Sequence, residues 1–210
     1  MIAVRPAPRQ GRPRRYLKPG NGRRVVADTQ GVENMATKEE RRAKVVEVLN
    51  KARAMELQAI HQYMSHHYAL DDMDYGELAA KMKLIAIDEM RHAESFAERI
   101  KELGGEPTVT KAEPVVTGQN IREIYPHDTE EEDVTIDTYN QFLLVCRDNG
   151  DSVSVKLFEQ IIEDEQAHYN YFDAIRDHIE NLGDTYLSRI AGTPSSTGLA
   201  PQGFVITNQE

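Results

Sequence analysis

Residues 78–96 read LAAKMKLIAIDEMRHAESF, in which positions 78, 82, 85, 89, 92 and 96 hold Leu, Met, Ile, Glu, His and Phe. Steps of three and four mark one face of an α-helix, so a carboxylate and an imidazole sit one turn apart on an apolar stripe. The stripe recurs as Ile161, Glu165, His168, Phe172, Ile175 and Ile179. Leu49, Ala52, Glu56, Ala59 and Tyr63 form a third, and Glu132, Ile136, Tyr139, Leu143 and Cys146 a fourth. Four helices therefore each place an acid where a bundle core would bury it. Glu163 and Asp164 fall off the stripe of their helix and are expected to face water.

Outward from these stripes, TKEE at 37–40 is a capping box that opens the first helix, which runs without Gly or Pro to about residue 70. A turn at 71–76 leads to a second helix over 77–103, closed by Gly104 and Gly105. Residues 106–127 hold Pro107, Pro114 and Pro126 and read as a connector, with helix able to resume near Asn120. A third helix spans 129–148, a fourth 153–182 and a short fifth 184–191. Short turns make helices one and two antiparallel, and likewise three and four. At ~3.3 Å per residue the connector reaches roughly 70 Å, against about 40 Å for the second helix. The expected fold is all-α, a four-helix bundle with one long crossover and a short C-terminal fifth helix.

The 210 residues are 40% hydrophobic and carry a net charge of −10, which argues against a general nucleic-acid binder. No apolar run approaches the roughly 18 residues of a membrane span. One cysteine, Cys146, excludes an internal disulfide and a Cys₄ metal site. Residues 1–34 hold eight basic and two acidic side chains, leaving 17 and 33 for residues 35–210. This leader reads as a disordered arm, a targeting peptide, or sequence upstream of a start at Met35. Helical patterning directly after Met35 favours the last. The bundle is assigned to 35–192, a flexible tail to 193–210, and the protein to the cytoplasm.

In an antiparallel hairpin, residues equidistant from the turn lie at one height. Glu56 and Glu89 centre on 72.5, Glu132 and Glu165 on 148.5, and both midpoints fall at expected turns. Each second member opens a Glu-x-x-His, and the triplet 56/89/92 returns 76 residues later as 132/165/168. Glu132 lies in the acidic run 130–133, and both stripe and midpoint select it. Four carboxylates in one core would cost several kcal/mol each without compensation. Two divalent cations supply that compensation, and oxygen–nitrogen ligation without thiolate suits iron or manganese better than structural zinc. Met90 lies off this stripe, on a second one with Ala79, Ala86, Ala93 and Ala97, which is expected to pack against another subunit.

The segments AMELQAIHQY (54–63), IDEMRHAE (87–94) and IEDEQAH (162–168) resemble those of the bacterioferritins, in particular the form found in sulfate-reducing bacteria. The resemblance covers about residues 37–192. It implies a di-iron ferroxidase centre with Glu56, Glu89, His92, Glu132, Glu165 and His168 as ligands, of which Glu89 and Glu165 bridge, and with Tyr63 close by. Asp88 matches an acid on the cavity side, whereas the usual cavity-side His is Leu84 here. Met90 from each of two subunits would bind a haem-type iron porphyrin, haem b or iron coproporphyrin. The resemblance further implies a homo-oligomer, a 24-mer of haem-sharing dimers. Such a shell oxidises Fe²⁺ with O₂ or H₂O₂, stores the ferric mineral and releases it with electrons from a redox partner such as a ferredoxin. No nucleic acid or membrane is expected as partner. The alternative is a non-storing di-iron peroxidase or oxidase of rubrerythrin type, whose usual Cys₄ electron donor a single cysteine cannot build.

Overall fold

The computed structural model describes residues 36–198 and 202–207; the basic leader expected at 1–34 lies outside the described residues. Four long helices form two antiparallel hairpins: α1 (Lys38–Asp72) with α2 (Gly76–Glu102), and α3 (Ile121–Asp148) with α4 (Ser152–Leu182). Two short helices follow, α5 (Asp184–Ile190) and α6 (Phe204–Thr207). Among the described residues no helix is long and apolar enough to cross a membrane.

The ends of the helices follow local chemistry. The Thr37 hydroxyl accepts from the Glu40 N–H while the Glu40 carboxylate accepts from the Thr37 N–H, as the TKEE box requires. At the end of α2, Gly104 takes a φ of 72°; its N–H donates to the Lys101 carbonyl and that of Gly105 to Ile100. The same pairing ends α3 at Gly150 and Asp151. Arg99 then donates to both Asp151 carboxylate oxygens, at 2.8 and 2.9 Å, and fastens α2 to the α3–α4 turn.

The third helix begins at Ile121, beside Asn120 where helix was expected to be able to resume and eight residues before 129. Asn120 forms a capping box with Glu123, which starts a helix that then passes through Pro126. Pro126 is exposed, so the Arg122 carbonyl it deprives of a partner can be hydrated instead of being buried unpaired. The crossover therefore shortens to 103–120, still roughly 59 Å at full extension against about 42 Å for α3. It runs along α1, pinned by that helix's polar face. Asn50 accepts from the Thr108 N–H, Arg53 donates to the Thr108 carbonyl, and Gln58 accepts from the Glu113 N–H. Gln62 both accepts from and donates to the Val116 backbone, and His66 reaches Gln119.

Two apolar clusters fill the bundle. One holds Leu70, Leu78, Met82, Ile85, Tyr125 and Phe172; the other holds Val45, Leu49, Phe96, Tyr139, Phe158 and Ile161. The acids of the four stripes lie between them. Ala79, Ala86 and Ala93 are buried within the chain, contrary to the expectation that their stripe waits for another subunit. Small side chains there let α1 and α2 approach closely, and α1 bonds to that stripe's backbone. His67 donates to the Ala79 carbonyl, and Arg53 to that of Ala93. Within 193–210, expected as a flexible tail, the Thr193 hydroxyl accepts from the Glu77 N–H in the first turn of α2 and Phe204 is buried.

Burial pushes the Cys146 thiol up to about 12, with the Asp151 carboxylate adding to the shift. Because the thiolate is the reactive form, the native protein at about pH 8 should resist an aromatic disulfide reagent. Guanidinium unfolding should then release one thiol per chain. Fast labelling of native protein would show that the α3–α4 end opens readily.

Candidate metal centre

Each hairpin delivers one carboxylate from its first helix and a Glu-x-x-His from its second. All six residues are at most 5% exposed. The neighbouring acids separate cleanly, since Glu132 is buried while Glu130 and Asp133 face water. Donor atoms of Glu56, Glu89, His92 and Glu165 lie within 4.8 Å of one another, as do those of Glu89, Glu132, Glu165 and His168. Glu89 and Glu165 belong to both sets.

The rings face inward through Nδ1. His92 Nδ1 is 3.0 Å from Glu89 and 3.2 Å from Glu165; His168 Nδ1 is 3.1 Å from each of the same two acids. Glu56 and Glu132 stand further off, 3.9 Å from His92 and 3.8 Å from His168. Tyrosines hold them: the Tyr63 hydroxyl donates to Glu132 at 2.7 Å and the Tyr139 hydroxyl to Glu56 at 2.5 Å. Outward, His92 Nε2 donates to Asp164 at 3.2 Å, and His168 Nε2 lies 3.5 Å from Asp88. Carboxylates behind ligating imidazoles fix the ring and its tautomer.

Two of these residues, Tyr139 and Asp164, did not stand out as site residues in the sequence, and neither did the contact between Asp88 and His168. The 76-residue offset carries them, because it maps Tyr63 onto Tyr139 and Asp88 onto Asp164. Asp164, expected to face water, is only 37% exposed because its carboxylate turns onto His92.

Charge sorts itself within the cluster. Burial, reinforced by the charges of Glu165 and Glu89, holds Glu56 and Glu132 well above the usual carboxylate range. Burial also opposes ionisation of Glu165, but His92 and His168 outweigh it and bring this acid down to about 2. Glu89 is lowered by the same balance, through His168 and His92. Burial disfavours charge on the two histidines, yet the facing carboxylates raise both well above the ordinary imidazole value. Within the metal-free cluster, charge is thus favoured on Glu89 and Glu165 and on the two imidazoles, and disfavoured on Glu56 and Glu132. Oε1 of Glu89 and of Glu165 are left without a hydrogen-bond donor in full burial, the shortfall a cation between the two sets would remove.

A profile of the ferritin-like domain matches residues 46–182. The bacterioferritin of Desulfovibrio desulfuricans is 70% identical over 168 residues, covering 80% of this chain and 94% of that one. The chain belongs to the bacterioferritin family. The bacterioferritin of Brucella melitensis is 32% identical over 72% of this chain and 94% of its own. Among solved structures, the D. desulfuricans bacterioferritin superposes with a TM-score of 0.78 at 69% identity, covering 80% of this chain and 99% of that one; it is described by its di-iron site in different catalytic states. The Rhodobacter capsulatus bacterioferritin gives 0.69 at 31% identity, over 74% and 98%; it is described with a metal-free dinuclear site and a haem iron on a crystallographic special position.

Glu56, Glu132, His92 and His168 all have their proton affinity raised in the metal-free cluster, so protons compete there with a bound cation. Loading two divalent ions near pH 7 should therefore release protons, and affinity should rise with pH and fall as pH drops. Titrating Co²⁺ into weakly buffered protein with a pH indicator counts them. A count near zero would contradict the charge pattern derived above.

Proposed function

We propose that the chain is an iron-storing ferroxidase whose centre is built by Glu56, Glu89, His92, Glu132, Glu165 and His168. What carries the reading is the pair of overlapping donor sets that share Glu89 and Glu165, each completed by one histidine and one tyrosine-held glutamate. Two Fe²⁺ ions are the substrate, and held side by side they can give two electrons together to O₂ or H₂O₂. Iron suits the donor set, four carboxylates and two imidazoles with no thiolate.

The chain's own residues then have separate tasks. Glu89 and Glu165, ionised in advance, span both positions. Glu56 and Glu132 give up their protons as the cations arrive. The Tyr63 and Tyr139 phenols, which burial keeps neutral, orient those two glutamates through donated hydrogen bonds. Asp164 and Asp88 hold the imidazoles from behind. A groove of about 200 Å³ between α1, α3 and the crossover leads inward, with Glu113 and Glu131 in its lining. It shares Met55, Ala59, Tyr63 and Thr135 with a cavity of about 10 Å³ among the ligands, room for roughly one water.

Met90 would serve a second group. Its side chain is 54% exposed on α2, a thioether free to meet an iron porphyrin shared with another copy of the chain. A haem iron on a special position, as described for the R. capsulatus protein, lies on a symmetry element, which supports a shared site. Such a porphyrin, haem b or iron coproporphyrin, would carry electrons inward for iron release. The oligomer proposed is a cytoplasmic 24-mer built from these dimers, supplied by a redox partner such as a ferredoxin. The domain assignment proposed is a bundle over 35–192.

Glu165→Ala should abolish rapid Fe²⁺ oxidation, followed by stopped-flow absorbance, while helical content persists; undiminished oxidation would sink the site. Met90→Leu should remove the Soret band and leave rapid oxidation intact. Size-exclusion chromatography with light scattering tests the shell, since a colourless dimer would favour the non-storing di-iron enzyme.

A further inference from the structure

The two approaches to the metal centre differ. On the α1–α3 side the groove described above reaches the ligands. On the opposite side, between α2 and α4, residues 202–206 of the chain lie across the outer edge of His168. The Phe204 ring is buried, 5.9 Å from the His168 ring and 4.9 Å from that of Tyr171. The Lys81 ammonium sits 5.5 Å over its face, a cation–π contact from α2. The Val205 N–H donates to Asp88 Oδ2 at 2.9 Å, the same oxygen that stands 3.5 Å from His168 Nε2. Arg91 donates to the Gln202 carbonyl. Gly203 takes a φ of 100°, and a Cβ there would overlap the Asp88 carboxylate. Only glycine lets the segment settle so closely.

We propose that residues 202–206 are a strap that closes the α2–α4 side of the metal centre, so that cations cross between the centre and that side only when the strap lifts. The inference rests on the metal-centre reading above and adds a direction to it. With the strap down, Asp88 is spent on a backbone N–H and Phe204 covers His168; with it up, a carboxylate and the outer edge of a ligand are exposed together. The attachment suits reversible opening. It includes the Phe204 ring with its Lys81 contact, the Val205 N–H bond to Asp88 and the Arg91 bond, and it meets the first apolar cluster through Phe204 and Val205.

The test uses the full-length protein loaded with Co²⁺, whose ligand-field spectrum reports the centre without turnover. Release to an excess of chelator is timed for the unaltered chain and for Gly203→Ala, Phe204→Ala and Phe204→Leu. Gly203→Ala and Phe204→Ala should each speed release roughly tenfold, the factor expected when a state closed about nine-tenths of the time is abolished. Phe204→Leu should stay near the unaltered rate, because it keeps the apolar plug. The Co²⁺ spectrum and stoichiometry should be the same in all four, which a merely structural defect would not leave unchanged. Release is timed again with Val134→Trp, which fills the α1–α3 groove, added to each of the four chains; equal rates with that route filled and Co²⁺ binding intact would overturn the strap alone. Failure of the unaltered chain to bind Co²⁺ at the centre would overturn the metal centre and the strap's role with it.

Discussion

Four glutamates buried between two apolar clusters are the constraint on which the rest of this bundle depends. Unpaired, such charges would cost more than a domain's whole margin of stability, commonly about 5–15 kcal/mol. Without metal the fold eases the cost by raising the proton affinity of two of the acids and of both imidazoles. Each proton held this way is one that a cation can displace, so the device that makes the metal-free chain tolerable is also what prepares the site. A bundle with leucines at those positions would fold with less trouble and bind nothing.

Besides the Glu–His pairs within α2 and α4, the contacts that hold the two outer glutamates and back the histidines run between hairpins. Tyr63 of the first holds Glu132 of the second, and Tyr139 of the second holds Glu56 of the first. Asp164 backs His92, while Asp88 backs His168. Every ligand that needs orienting is thus oriented from the other half. Neither hairpin alone could set the geometry, and docking of the two halves and assembly of the site become one event. The 76-residue offset that relates the halves in sequence is the trace of this exchange.

The helices and the six proposed ligands were legible because period and midpoint are long-range signals in a one-dimensional string. The stripe at 78–96 locates Glu89 and His92, and the turn arithmetic picks Glu132 out of four consecutive acids. What escaped was decided by local exceptions or by neighbours. Pro126 argued against helix, yet an exposed proline near a capped N-terminus is tolerable, so α3 begins at Ile121. The alanines at 79, 86 and 93 show a second small-residue face, but sequence does not say whether α1 or another subunit covers it. Asp164 sits off its stripe and still reaches a ligand, because an imidazole's outer nitrogen points away from the core. Phe204, in a stretch rich in Gly, Pro and Ser, has no periodic neighbours to announce its burial.

The two halves repeat their ligands but not their surroundings, and the difference falls on one pair of matched residues. Asp164 behind His92 is 37% exposed, whereas Asp88 behind His168 is 5% exposed under the C-terminal segment. A symmetric centre would treat its two cations alike and give them no preferred way in or out. Here one histidine keeps contact with solvent through its aspartate and the other is covered by the Phe204 ring. Oxidation at the proposed centre needs only the geometry shared by its six proposed ligands, which the repeat supplies. The difference between the halves comes from outside the repeat, from residues 202–206, which pack over His168 and bond to Asp88.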